Sequence, residues 1–164
     1  AHHLVELDRS FLKRCRNVIL PRDPLDLVPS LVNLIGEPTL RDTGYAMQTE
    51  LVDQLRAIGQ APLVLDAMEV LLDPRGMLAL LCARLDLAFD ERMLAWQPGA
   101  RPEDGAWARH WYQNVHTSSG FQKYTRKATP FPARLAPLLA QCKPHYERLY
   151  ALAIRAKVRE GAPR

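Results

Sequence analysis

Glycine is scarce here and never clustered: the chain has 8 in 164 residues, and Gly36, Gly44, Gly59 and Gly76 stand alone after helical patterns. They read as helix ends or turns. A phosphate cradle of consecutive backbone N–H groups needs glycine and hydroxyl residues after a strand, and nothing before residue 16 supplies them. Cysteine is also sparse. Cys15, Cys82 and Cys142 are widely spaced and odd in number, which argues against a disulfide framework and against a zinc site. Cys82 lies in an apolar helical pattern and reads as a core residue. No apolar run approaches the roughly 18 residues of a membrane span, and no basic-then-apolar leader opens the chain. The expectation is a cytoplasmic protein with no membrane partner. Internal repeats and low-complexity tracts are lacking too.

What is present fits one globular domain over residues 1–164, with 48% hydrophobic and 24% charged residues. Two strands are legible, around 16–21 and 62–66, and the rest is mostly helical. The pattern places Leu4, Leu7, Phe11 and Leu12 on one face of a helix near the start. Further helices are expected over Asp23 to Ile35 with Pro29 inside, over Thr43 to Ile58 ended by Gly59, and from Pro74 with Met77, Leu78, Leu81 and Leu85 toward the core. Residues 96–104 read as a loop, Ala106 to His116 as a helix, 117–132 as irregular, and Ala133 to about Val158 as a long helix.

The densest information lies in Asn17-Val-Ile-Leu-Pro-Arg22-Asp-Pro-Leu-Asp-Leu-Val-Pro-Ser30. Val18, Ile19 and Leu20 form the short apolar run of a strand covered on both faces, and Asp23-Pro24 reads as N-cap and first helical position. Arg22 therefore stands at a strand exit, where open α/β sheets bind ligands and helix N-termini offer N–H groups to anions. Ser30 lies eight residues on, about two helical turns in. A guanidinium fork and a hydroxyl suit a phosphate, although Arg-Asp-Pro is also an ordinary strand-to-helix junction.

This Arg-x-Pro-x-x-x-x-x-Ser segment resembles the 3′-phosphate-binding segment of sulfotransferases that use 3′-phosphoadenosine 5′-phosphosulfate. Other stretches are similar to that family. His3-Leu4, nineteen residues before Arg22, resembles its catalytic His-Leu, with His2 as the alternative. Pro62 to Pro74 looks like its late strand, acidic turn and Asp-Pro helix start. The run from Trp107 to Phe121 is similar to the region that approaches donor and acceptor. Arg126-Lys127-Ala128 resembles the family's Arg-Lys-Gly, with alanine where glycine permits close backbone approach. The resemblance implies that Arg22 and Ser30 hold the 3′-phosphate of the donor, that Arg126 and Lys127 complete the grip, and that His3 takes the acceptor's proton. It implies no metal.

Each of these residues also has a plainer reading. Arg126 and Lys127, with Lys123, form a solvated basic loop; His2 and His3 form a frayed terminus. Trp96 and Phe121, in loops, are expected to contact an apolar acceptor, or else pin those loops to the core. Trp107 and Trp111, four apart on one helix face, are read as core. The net charge of +4 suits an anionic ligand, and taken alone fits nucleic acid or a phospholipid surface too. A small-molecule donor and acceptor, not a nucleic acid, are the expected partners.

The fold class implied is α/β, a three-layer parallel sheet of the P-loop nucleoside-kinase-like type, mostly helical in this portion. Because the family's phosphosulfate loop is missing, the chain is expected to be the C-terminal part of a sulfotransferase-like domain. It should expose an apolar sheet edge, with poor solubility or homodimerisation through it. Two other readings stay open: a P-loop kinase relative, and a non-catalytic protein-interaction domain.

Overall fold

The computed structural model describes residues 7–106, 108, 112–125 and 130–155. Three short parallel strands make its sheet: β1 (Val18–Ile19), β2 (Leu63–Leu65) and β3 (Ala153–Ile154), with β2 in the middle. Val18 pairs with Leu63 and Ile19 with Val64; Val64 pairs in turn with Ala153 and Leu65 with Ile154. Parallel strands need crossovers, and helices provide them. Between β1 and β2 run α1 (Pro24–Ile35), α2 (Leu40–Thr43) and α3 (Tyr45–Ala57). Between β2 and β3 come α4 (Ala67–Leu72), α5 (Pro74–Arg84), a helical turn at Gln113–His116, and a long helix at Ala136–Leu152.

The two-residue period of β2 sorts the core. Val64, with no exposure, joins Ile19, Val28, Tyr45, Val52, Leu55, Leu138, Cys142 and Leu149 on the side of α1, α3 and the long helix. Leu65 points the other way, to Val70 and Met77 of α4 and α5, with Phe121 and Ile154 packed alongside. Helices thus cover both faces, and the architecture is α/β with a small parallel sheet.

Local chemistry fixes the helix starts. The Asp23 side chain accepts from Leu25 N–H at 2.8 Å with Pro24 in the first turn, and the Asp73 side chain accepts from Gly76 N–H at 3.1 Å ahead of α5. Gly59, at φ +79°, ends α3 as expected, with Gln60 N–H returning to Leu55 C=O at 2.9 Å.

Four expectations are corrected. The helix expected from Thr43 begins at Tyr45, because Gly44 sits at φ 75°, ψ 0° and separates α3 from the short α2 before it. The long helix stops at Leu152, well before Val158, because Ala153 and Ile154 satisfy their backbone on β2. That makes a third strand where two were legible. β1 is not covered on both faces either: Ile19 is buried, but Val18 and Leu20 are 40% and 57% exposed, since β1 pairs only with β2 among the described residues. The face expected near the start is partly outside the described residues, which leave out Leu4; there, Leu12 is buried in a 3-10 turn at Ser10–Arg14 and Leu7 is exposed.

Candidate functional site

The exits of β1 and β2 lie side by side, tied by a hydrogen bond from Ala67 N–H to Pro21 C=O at 3.0 Å. The Tyr45 hydroxyl, on a ring buried in the core, donates to the Arg22 carbonyl and holds the peptide from which that side chain leaves. Across the junction Asp66 caps α4, accepting from Met68 N–H at 2.9 Å and Glu69 N–H at 3.3 Å, and it also receives the Tyr146 hydroxyl at 3.0 Å. Asp66 has no exposed surface. Burial pushes its carboxyl above the ordinary value of 3.8, and the Glu69, Tyr146 and Met68 hydrogen bonds pull against that. The same desolvation raises the Tyr45 and Tyr146 phenols, so both remain neutral donors. Their rings meet edge-on at 6.4 Å.

Over this junction opens a pocket of about 190 Å³, lined by Arg22 and Asp26 from the β1 side, Ala67, Met68 and Leu71 from the β2 side, and residues 122–125 of the loop above. Arg22 is exposed, and among the described residues no side chain pairs with its guanidinium. Lys123 brings a second cation to the same lining. Asp26 is the one carboxylate in it among the described residues; the Tyr124 hydroxyl donates to its Oδ2 at 3.1 Å.

A larger pocket, about 440 Å³, lies at the opposite end of the strands, lined by Lys13, Arg14, Arg16 and Arg84 among others. Its cations are placed differently. Lys13 and Arg14 occupy the last turn of the Ser10–Arg14 helix and Arg84 the last turn of α5, where cations offset helix carbonyls. Arg16 is engaged by Asp86 at 3.0 Å. At the carboxyl end of the sheet the helix ends are N-termini, and their dipoles add to Arg22 and Lys123.

Of the residues singled out in the sequence, Arg22 lies in the smaller pocket. Ser30 is on α1 one turn beyond Asp26, with its hydroxyl donating to the Asp26 carbonyl at 3.1 Å, and it does not line the pocket. A hydroxyl has one proton, so Ser30 gives up that bond if it donates to a ligand. Trp96 and Phe121 come together edge-on at 5.4 Å, with the Trp96 indole N–H on Ser118 Oγ at 3.1 Å and Phe121 packed near Leu65, Val70 and Met77. Neither lines the pocket. His2, His3, Arg126 and Lys127, with Trp107 and Trp111, lie outside the described residues. His116 bonds Asp104 at 2.8 Å and His145 bonds Thr49 at 2.9 Å, both away from the pocket lining. Among the described residues no group of three or more His, Cys, Asp or Glu side chains is arranged to hold a metal, and no helix is long and apolar enough to cross a membrane.

The sequence reading missed Tyr45, Lys123 and Tyr124 as parts of this site. Only Lys123 left a trace, as the first member of the basic loop that also holds Arg126 and Lys127.

The profile of the sulfotransferase domain family matches residues 1–153. Two proteins of Arabidopsis thaliana, named branched-chain-amino-acid aminotransferase-like protein 2 and protein 1, are each 34% identical over 146 residues, 89% of this chain. The chain spans only 26% of the length of those relatives, so their name describes proteins that lie mostly outside the match. No solved structure matches the chain.

Proposed function

Because the chain belongs to the sulfotransferase domain family, we propose that the pocket at the carboxyl ends of β1 and β2 grips the 3′-phosphate of 3′-phosphoadenosine 5′-phosphosulfate. The intact protein transfers the sulfuryl group of that donor to a small-molecule acceptor. One observation carries this reading: Arg22 leaves a parallel strand at its carboxyl end and lines a pocket with Lys123, and its guanidinium has no side-chain partner among the described residues. A guanidinium fork answers phosphate oxygens two at a time, and Lys123 adds a point charge. The pocket, about 190 Å³, is smaller than the roughly 300–1,000 Å³ that encloses a whole drug-sized ligand. It fits one phosphate and the ribose edge beside it.

In the reaction an acceptor oxygen or nitrogen attacks sulfur, the bond from sulfur to the bridging phosphate oxygen breaks, and adenosine 3′,5′-bisphosphate leaves. The acceptor's proton passes to a base, the role assigned to His3 or, failing it, His2. Charge that develops on the leaving oxygens is stabilised by fixed donors and cations. Ser30, Arg126 and Lys127 extend the grip on the 3′-phosphate, and the Trp96–Phe121 pair offers an apolar surface to the acceptor.

Calorimetry of adenosine 3′,5′-bisphosphate binding to the intact protein tests the assignment. Arg22→Ala is expected to weaken binding about a hundredfold, and Arg22→Lys less, because an ammonium keeps the charge and loses the fork. Unchanged affinity in Arg22→Ala would contradict it.

A further inference from the structure

Arg22 and Asp26 line the same small pocket with opposite charges, yet they form no ion pair. A carboxylate that close to a free guanidinium is the natural competitor of any anionic ligand. Asp26 is 6% exposed in the first turn of α1, and its Oδ2 is taken by the Tyr124 hydroxyl at 3.1 Å. Tyr124 reaches it from 98 residues away, and its neighbour Lys123 stands in the same lining. That one bond joins the 122–125 loop to α1 and holds one oxygen of the carboxylate.

We propose that Tyr124 is a positioning residue that keeps Asp26 off Arg22 and, by the same hydrogen bond, sets Lys123 over the pocket, so that an anion meets two free cations. The proposal rests on the assignment of this pocket to the donor's 3′-phosphate. Loss of the phenol oxygen has a definite consequence. Asp26 becomes free to pair with Arg22, and the ligand must then displace an internal carboxylate before it binds.

The test is a double-mutant cycle on the intact protein, with adenosine 3′,5′-bisphosphate as the probe and thermal unfolding recorded alongside. Tyr124→Phe keeps the ring and removes the bond to Asp26 at a partly buried loop residue, so the fold is retained. Its affinity is expected to fall about tenfold. Adding Asp26→Asn removes the competing charge, and affinity is expected to recover to within about threefold of the unsubstituted protein. A purely structural contact gives no such recovery, since the second substitution takes away another hydrogen-bond partner. Tyr124→Phe that binds normally, or a double variant as weak as the single one, overturns the proposal. Arg22→Ala in the same series separates the two layers: if it leaves affinity unchanged, the assignment of the pocket fails; if it abolishes binding while Tyr124→Phe has no effect, only the role of Tyr124 fails.

Discussion

The two ends of the sheet hold pockets of unequal size, and the proposed anion site is the smaller one. At the amino ends, about 440 Å³ is lined by four cations; at the carboxyl ends, about 190 Å³ is lined by two cations and a carboxylate. Counting charges favours the first. Position argues the other way, because Lys13, Arg14 and Arg84 sit in the last turns of helices, whose carbonyl ends disfavour an anion, and Arg16 pairs with Asp86, whereas the Arg22 guanidinium stands beyond a strand exit with no side-chain partner among the described residues.

The comparison breaks first if the carboxyl-end junction is not held by Asp66. Asp66→Ala removes the oxygen that accepts two helix-capping hydrogen bonds and the partner of the Tyr146 hydroxyl. The expected cost is about 3 kcal/mol of unfolding free energy by denaturant titration. A change below about 0.5 kcal/mol would mean the junction is held some other way.

It sharpens with charge reversal at both ends. Lys123→Glu is expected to weaken adenosine 3′,5′-bisphosphate binding about thirtyfold, roughly 2 kcal/mol, while Arg14→Glu with Arg84→Glu stays within about twofold in titration calorimetry at moderate salt. The opposite pattern moves the site to the amino end.

Tyr45→Phe leaves the Arg22 carbonyl without its donor while the buried ring stays. About 1 kcal/mol of stability and a several-fold loss of anion affinity are expected together, from thermal unfolding and calorimetry on the same samples. Stability loss with normal affinity would show that Arg22 does not depend on this bond.

The smallest effect is a pH trend. The Asp66 carboxyl titrates higher in the folded chain than its ordinary 3.8 because burial disfavours its charge. Its contribution is therefore fully present below 3.8 and declines as pH rises through the raised folded value. Asp66→Asn, which cannot ionise, should gain in melting temperature relative to the unsubstituted protein as pH goes from about 3 to about 6. A flat difference would mean that Asp66 ionises in the fold as it does in water.

Much of the carboxyl end was legible in the sequence because it is local chemistry. Asp23-Pro24 and Asp73-Pro74 announce capped helices, and Arg22 follows an apolar run; at the other end, Gly59 closes α3. Contacts between distant residues were not. Tyr124 meets Asp26 across 98 positions, Tyr146 meets Asp66 across 80, and Tyr45 meets Arg22 across 23, none of them at a spacing that periodicity reveals. β3 was hidden for a related reason. Ala153 and Ile154 continue a helical pattern, and pairing with β2 overrides it. Similarly, the Val18–Leu20 run reads as covered on both faces because periodicity cannot tell an edge strand from a central one.

Amide chemical shifts of the isotopically labelled protein, followed while adenosine 3′,5′-bisphosphate is added, test the location of the anion site most directly. The expected result is perturbation of residues 22–26, 67–69 and 122–125, with residues 13–17, 59–61 and 84–85 unmoved. Perturbation concentrated at the second set, or at neither, would contradict the assignment of the site to Arg22 and the carboxyl ends of the strands.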